Sequence, residues 1–215
     1  MPFARGLLFD MDGTLVDSRP CIEKLWQDWA AERGVDYQQI VQVMHGRRGI
    51  ETISIVAPHL DANAEVAALI AKEMRQLEGT VAIAGAAALL QQLAPEQWAV
   101  VTSAPRELAL AKLAYAGLPL PKYLIGADDV REGKPHPAPY QHGATLLGLS
   151  ASDCIAFEDA GAGIASAHHA GAAVCLVTAA GGYCDQSLHQ WTIEDYTQLG
   201  ITQEHAQLRL TFAGA

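Results

Sequence analysis

The pattern of apolar and polar positions divides the chain into a helical segment and a region where strands and helices alternate. An apolar run at residues 7–9 predicts a first buried strand. From about residue 17 to 82, apolar positions recur at helical spacing, and the clearest helix runs from a cap at Asp17 or Ser18, through Pro20, to Gly34. Further helices are predicted at 37–45, 49–57 and 63–77. Residues 17–82 are therefore expected to form an all-helical insert.

After Gly85 the pattern changes, and short apolar strands alternate with helices. The predicted helices contain residues 89–93, 106–116, 138–147 and 161–170, and the predicted strands are 98–102, 123–125, 153–157, 173–177 and 190–193. This order is typical of an α/β fold with a doubly wound parallel sheet and right-handed connections. We expect residues 1–16 and 83–215 to form this sheet core, while the tail after Tyr196 gives no clear prediction.

Composition narrows the partners and the location. Half of the 215 residues are hydrophobic and the formal net charge is −10, so nucleic acid and anionic membranes are not expected as main partners. No apolar stretch approaches the roughly 20 residues of a membrane span, and Asp10 and Asp12 lie where a secretory signal would be apolar. A cytoplasmic protein is expected, with reduced thiols at Cys21, Cys154, Cys175 and Cys184.

Polar side chains are concentrated where four segments of the predicted sheet region end. The carboxyl ends of parallel strands meet at one edge, where open α/β sheets bind ligands. These end segments supply Asp10 and Asp12, Thr102 and Ser103, Lys134, and Glu158 and Asp159. One crevice would therefore hold hydroxyls, an amine and four carboxylates.

This set of side chains fits Mg²⁺-assisted phosphoryl transfer through an aspartyl phosphate. Asp10 would attack phosphorus, and Asp12 would protonate the leaving group and then activate water. Thr102 and Lys134 would hold the phosphoryl oxygens. Asp10 and Asp159 would ligate Mg²⁺, and Glu158 would orient a metal-bound water.

Simpler interpretations exist for each residue taken alone. A calcium loop beginning at Asp10 is disfavoured because it needs glycine at position 15 and glutamate at 21, where Leu15 and Cys21 stand. Asp159 taken alone is explained about equally well as a helix cap or as a metal ligand, and Lys134 taken alone is most often a solvated surface amine. The functional interpretation rests on their occurring together.

With these residues in place, the chain resembles the haloacid dehalogenase superfamily of phosphohydrolases over nearly its whole length. The four motifs match at 10–14, Thr102, Lys134 and 158–159, in the family's order. The resemblance implies a Rossmann-like core and a mobile helical cap over residues 17–82, inserted after the first motif. It also implies Mg²⁺ bound by the Asp10 side chain, the Asp12 backbone carbonyl and Asp159.

Softer similarities point to one branch of that superfamily. Segments 45–48, 57–58, 96–99 and 133–137 are similar to the glycerol-phosphate and 2-deoxyglucose-6-phosphate phosphatases. His45 and Arg47 flank Gly46 on a predicted cap loop, where they could face sugar hydroxyls or phosphate. A solvated cap surface is the alternative interpretation of these two residues.

The sequence therefore predicts a Mg²⁺-dependent phosphatase acting on a small sugar or polyol monophosphate, as a monomer or small homo-oligomer. Thr102, Ser103 and Lys134 would bind substrate together with the two cap residues. A sugar-phosphate mutase of the β-phosphoglucomutase type is an alternative, although Ile22 stands where those mutases carry a cap-hinge histidine. A non-catalytic phosphosugar-binding regulator is a second alternative.

Overall fold

The computed structural model describes residues 2–181 and 188–213; Cys184 lies outside these ranges. The strands are β1 (Phe3–Ala4), β2 (Gly6–Phe9), β3 (Val16–Asp17), β4 (Val81–Ala82), β5 (Trp98–Val101), β6 (Leu124–Ile125), β7 (Cys154–Glu158), β8 (Ala173–Val177), β9 (Trp191–Ile193), β10 (Leu199–Glu204) and β11 (Gln207–Phe212). The helices are α1 (Arg19–Arg33), α2 (Tyr37–Met44), α3 (Gly49–Val56), α4 (Ala62–Glu73), α5 (Ala86–Gln92), α6 (Arg106–Tyr115), α7 (Ala138–Leu146) and α8 (Gly161–Ala170).

A parallel six-stranded sheet forms the centre of the molecule, in the order β6-β5-β2-β7-β8-β9. Successive residues of β2 join two different apolar clusters, since Leu7 and Phe9 pack in one and Leu8 in the other. Side chains alternate between the faces of a strand, so both faces of the sheet are covered. The predicted doubly wound α/β core is confirmed.

Four helices, α1 to α4, pack around an apolar cluster of their own. That cluster includes Leu25, Trp26, Trp29, Ile40, Met44, Ile53 and Leu69. Helix α1 ends at Gly34, which adopts the left-handed conformation that favours glycine (φ 67°). The four predicted helices are confirmed, although α4 ends at Glu73 rather than at Leu77.

The expectation that residues 17–82 are entirely helical is wrong at both ends of the segment. Strands β3 and β4 pair there in an antiparallel ribbon, with Val16 opposite Ala82 and Asp17 opposite Val81. Strands of two residues are too short to show an alternating pattern in the sequence. These two pair because the helical segment between them begins and ends at neighbouring points. The ribbon joins the helical segment to the sheet.

The tail also contains structure that the sequence did not reveal. Strands β10 and β11 form an antiparallel hairpin, and β1 pairs with β11. Leu208 and Leu210 of β11 are buried in the same cluster as Phe9. Their alternation with polar residues was a weak strand signal, and the pairing with β1 joins opposite ends of the chain.

Two further observations concern the helices and the cysteines of the described residues. Within residues 2–181 and 188–213, every helix is too short or too polar to span a bilayer. Cys21, Cys154 and Cys175 are free thiols.

Phe9 is the residue of β2 on which the aromatic part of the core depends. Its ring is fully buried and stacks on Phe157 with centroids 4.9 Å apart. We expect Phe9→Ala to lower the free energy of unfolding by about 3–5 kcal/mol, because it leaves a cavity between strands. Phe3→Ala is the matched control, since Phe3 is 50 % exposed, and should cost about 1 kcal/mol or less. Guanidinium unfolding measures both, and equal losses would contradict this account of the core.

Candidate active site

A buried lysine joins two carboxylates at the carboxyl edge of the sheet. The Lys134 ammonium is 1 % exposed and donates to Asp10 Oδ1 at 2.6 Å and to Glu158 Oε1 at 2.6 Å. The Tyr140 hydroxyl donates to the same Glu158 oxygen at 2.8 Å. Charge-assisted hydrogen bonds of this kind fix the geometry of the carboxylates.

Neighbouring strands bring these groups together. Strand β2 pairs with β7, so that Asp10, just after β2, lies beside Glu158 at the end of β7. The Asp10 backbone N–H donates to the Phe157 carbonyl at 3.0 Å. On the other side of β2, Thr102 follows β5 directly, and its hydroxyl accepts from the Ala104 N–H at 3.1 Å. The sheet thus gathers the residues that the sequence placed at its strand ends.

Three buried carboxylates could hold a cation here. Oxygens of Asp10, Glu158 and Asp159 lie within 4.8 Å of one another. Asp159 Oδ1 accepts from the Thr14 hydroxyl at 3.3 Å. Gly13 approaches the Asp159 carboxylate so closely, with φ 85°, that a β-carbon there would overlap it. Hard carboxylate oxygens are the ligands that Mg²⁺ prefers, so these residues fit that ion.

Burial and mutual repulsion raise the pKa values of the aspartates in this cluster. Burial raises the pKa of Asp10 to about 7, Glu158 adds to the rise and the Lys134 ammonium opposes it. Burial, with Glu158 and Asp10, also raises the pKa of Asp159 well above its usual range. Burial would lower the pKa of Lys134, but the two carboxylates it contacts outweigh that effect and raise it. A divalent cation would stabilise the ionised carboxylates.

Asp12 lies outside that cluster and has different partners. Its Oδ1 accepts from the Ser18 hydroxyl and from the Lys112 ammonium, the latter at 2.8 Å. Its side chain remains a quarter exposed. Asp10 and Asp12 therefore have separate surroundings, one bound to Lys134 and the other to Lys112.

A cavity of about 370 Å³ lies between the sheet edge and helices α1 to α4. Asp10, Asp12 and Thr102 form part of its wall, together with Asp159. Lys134, by contrast, does not line this cavity and its ammonium contacts the two carboxylates. The volume is within the range of small-molecule sites.

The predicted cap residues lie at this cavity. His45 and Arg47 both line it, His45 as an exposed and Arg47 as a partly buried residue. The Ser103 hydroxyl, which we expected to bind substrate, donates to the Gly46 carbonyl at 2.8 Å. Ser103 thus also connects the sheet to the loop that carries His45 and Arg47.

Sequence reasoning missed several residues of this region. The main ones are Lys112, Glu73, Tyr140 and Arg19. Lys112 follows Leu108 and Ala109 by four and three positions, which places it on the buried face of α6. A lysine on an apolar helical face was the available signal, since lysine is seldom fully buried without a partner.

Comparisons with known proteins agree with this geometry. The family model for haloacid dehalogenase-like hydrolases matches residues 4–171. The chain belongs to this family. The matched residues include all four of the motifs described from the sequence.

Curated relatives are similar over most of the chain. Hexitol phosphatase A of Escherichia coli (strain K12) is 41 % identical over 180 residues, covering 81 % of this chain and 83 % of the relative. Glycerol-1-phosphate phosphohydrolase 2 of Saccharomyces cerevisiae is 38 % identical over 177 residues, covering 76 % of this chain and 70 % of the relative. 2-Deoxyglucose-6-phosphate phosphatase 2 of the same yeast is 32 % identical, covering 91 % of this chain and 87 % of the relative.

Solved structures show the same haloacid dehalogenase-like fold. A hydrolase from Pseudomonas syringae has a TM-score of 0.76 at 23 % identity, covering 88 % of this chain and 93 % of the other. β-Phosphoglucomutase from Clostridium difficile has a TM-score of 0.75 at 17 % identity, covering 92 % of this chain and 93 % of the other. At these identities the likeness concerns the fold.

Helix α8 offers a test of how tightly Glu158 is packed. A β-carbon on Gly163 would overlap the Glu158 carboxylate, whereas one on Gly161 would meet no atom within 4 Å. We expect Gly163→Ala to lower the free energy of unfolding by about 1–3 kcal/mol through overpacking. Gly161→Ala, the control in the same helix, should change it by less than about 1 kcal/mol. Chemical denaturation checks both, and similar values for the two variants would show that Glu158 is not confined there.

Proposed function

We propose that this chain is a Mg²⁺-dependent phosphatase that hydrolyses a small sugar or polyol monophosphate through an aspartyl-phosphate intermediate. The chain is a phosphoric monoester hydrolase of the haloacid dehalogenase-like family. The observation that carries the finer proposal is the pair Asp10 and Asp12 on one cavity wall, one beside Lys134 and the other beside Lys112.

In the first half-reaction, an Asp10 carboxylate oxygen bonds to phosphorus as the bond from phosphorus to the sugar oxygen breaks. Lys134 holds Asp10 Oδ1, which leaves Oδ2 for the attack. Protonated Asp12 donates its proton to the departing oxygen, so that an alcohol leaves rather than an alkoxide. The phosphoryl group is then bonded to Asp10.

In the second half-reaction, water attacks phosphorus and the bond from phosphorus to Asp10 breaks. Asp12, now ionised, accepts the proton of that water, and inorganic phosphate leaves. Thr102, on the cavity wall, would hold a phosphoryl oxygen through both steps, and the Lys134 ammonium would stabilise negative charge at Asp10, to which it donates. Asp10 and Asp12 end the cycle in their starting protonation states.

The metal would be held by the side chains of Asp10 and Asp159 and by the Asp12 carbonyl. When bound, Mg²⁺ would neutralise charge on the transferring phosphoryl group. Glu158 would position the residues around the metal. Its Oε1 accepts a hydrogen bond from Lys134, and its Oε2 accepts one from the Asp159 N–H at 3.1 Å. It would also orient a water of the ion.

The choice of a sugar or polyol rests on the cavity and on the relatives. His45, Arg47, Arg19 and Glu23 place donors and acceptors on its wall, which suit hydroxyl groups. The curated relatives are named for hexitol, glycerol and deoxyglucose phosphates. Helices α1 to α4 would act as a cap domain over residues 17–82 that excludes water and selects the leaving group.

A mutase is the second candidate, because β-phosphoglucomutase shares the fold. Its reaction requires a phosphoenzyme that survives until a second substrate hydroxyl arrives. Ile22, an apolar residue, lines the cavity where the mutases carry a histidine. That substitution favours hydrolysis.

We also propose a cytoplasmic location. The free thiols of Cys21, Cys154 and Cys175 support it, because reduced cysteines are usual in that compartment.

Asp10→Asn should lower turnover at least about 1,000-fold, because the amide is a poor nucleophile toward phosphorus. Asp12→Asn should cost nearly as much, about 100-fold or more, through loss of proton transfer. Asp61→Asn is the control, since exposed Asp61 caps α4 and asparagine caps equally well.

The assay is release of inorganic phosphate from glycerol, hexitol, hexose, pentose, glycolate and nucleotide monophosphates, with an aryl phosphate as positive control. Polyol and sugar phosphates should give the highest kcat/KM. Full activity of Asp10→Asn would exclude the covalent mechanism, a preference for nucleotides would exclude the proposed substrates, and isomerised sugar phosphate without free phosphate would indicate the mutase.

Removal of divalent metal should abolish phosphate release, because Asp10, Glu158 and Asp159 would be left with too few positive charges for an anionic substrate. Dialysis against a chelator followed by Mg²⁺ should restore the rate, while chelator pre-saturated with Mg²⁺ is the control. Undiminished turnover after dialysis would refute the metal requirement.

A further inference from the structure

A second buried lysine, Lys112, connects the core to the cap. It lies on α6, is 2 % exposed, and its ammonium is 2.8 Å from Asp12 Oδ1 and 2.5 Å from Glu73 Oε1. Asp12 belongs to the loop after β2, whereas Glu73 is the last residue of cap helix α4. One cation therefore contacts the proposed acid/base and an acidic residue of the cap.

Packing alone does not account for a lysine at this position. Its helical neighbours Leu108, Ala109 and Leu113 are buried. Taking a lysine and a glutamate out of water costs desolvation energy, and apolar side chains of similar volume are often equally stable at such sites. The charge is more readily explained by what it contacts.

The contacts select one oxygen of Asp12. Lys112 and Ser18 both donate to Oδ1, and among the described residues no hydrogen bond reaches Oδ2. A carboxylate bound at one oxygen by two donors cannot rotate freely about its last side-chain bond. Oδ2 is left as the oxygen that can exchange a proton with the substrate or with water.

Building on the proposed function, we propose that Lys112 is a positioning residue that fixes the Asp12 carboxylate so that Oδ2 transfers the proton. The contact of Lys112 with Glu73 links this orientation to the cap. The orientation of the acid/base is then complete only while α4 is docked against α6. Cap docking and proton transfer would therefore be linked through this one ammonium.

The test compares Lys112→Met with Lys122→Met, a control at an exposed lysine that pairs with exposed Glu96. Two substrates separate the steps. Glycerol phosphate has an alkoxide leaving group that needs a proton, whereas p-nitrophenyl phosphate has a leaving group that does not. Rates are followed by phosphate release and by rapid-mixing detection of nitrophenolate.

Lys112→Met should lower kcat for glycerol phosphate about 100-fold with little change in KM. With p-nitrophenyl phosphate it should release one equivalent of nitrophenolate rapidly and then turn over slowly, because dephosphorylation still needs Asp12 as a base. A wild-type kcat in Lys112→Met would overturn the proposal. So would a burst amplitude and a steady-state rate that fall by the same factor, which is the signature of a smaller folded fraction.

A second variant, in which the charges of both Lys112 and Glu73 are removed, guards against loss of the fold. Lys112→Met combined with Glu73→Gln leaves no unpaired buried ion, and its melting temperature is compared with that of the wild type. The same kinetic pattern is expected from this pair, and normal turnover in a folded double variant would overturn the role of Lys112.

Glu73→Gln alone keeps Lys112 on Asp12 and should raise KM more than it lowers kcat, because it weakens the tie to the cap. Unchanged KM and kcat would overturn the cap part of the proposal. If the wild type itself releases no phosphate from any substrate of the panel, it is the proposed function that fails, and the two failures are thereby distinguished.

Discussion

The ion pair of buried Lys134 with Asp10 and Glu158 is the interaction on which the rest of the site depends. It joins the ends of two adjacent strands, and its 2.6 Å contacts fix the carboxylates before any substrate arrives. Asp159 brings a third carboxylate into this buried cluster, and the pKa of Asp10 is raised to about 7 by burial first and by Glu158 second, against the opposing effect of Lys134. Buried carboxylates that repel one another are costly without a cation, so a divalent ion would relieve that cost.

A second set of contacts relates the cap to this centre. Arg48, at the start of α3, donates to the carbonyls of Val130 and Arg131 at 3.2 and 3.1 Å, close in sequence to Lys134. Ser103 binds the Gly46 carbonyl, and Lys112 contacts Glu73. The cap therefore contacts the core beside the groups to which chemistry is assigned. Its position and the proton-transfer geometry are coupled in our account.

Much of the fold followed from local sequence, and the exceptions share one cause. Strand β8 and helix α8 match their predicted bounds, because a buried apolar run and a glycine stop specify them locally. The β3–β4 ribbon and the β10–β11 hairpin were missed, since partners distant in the chain decide their pairing. Likewise, strand ends predicted Asp10 as part of the site, whereas the pairing of Lys112 with Glu73 requires the packing of two helices.

Trapping of the phosphoenzyme tests the central claim most directly. The enzyme would be mixed with substrate and Mg²⁺, quenched in acid within one turnover, and digested for peptide mass spectrometry. Our account predicts one added phosphoryl group on the peptide containing Asp10, labile to hydroxylamine as acyl phosphates are, and absent from Asp10→Asn. A phosphoryl group on another residue, or turnover with none on any peptide, would contradict it.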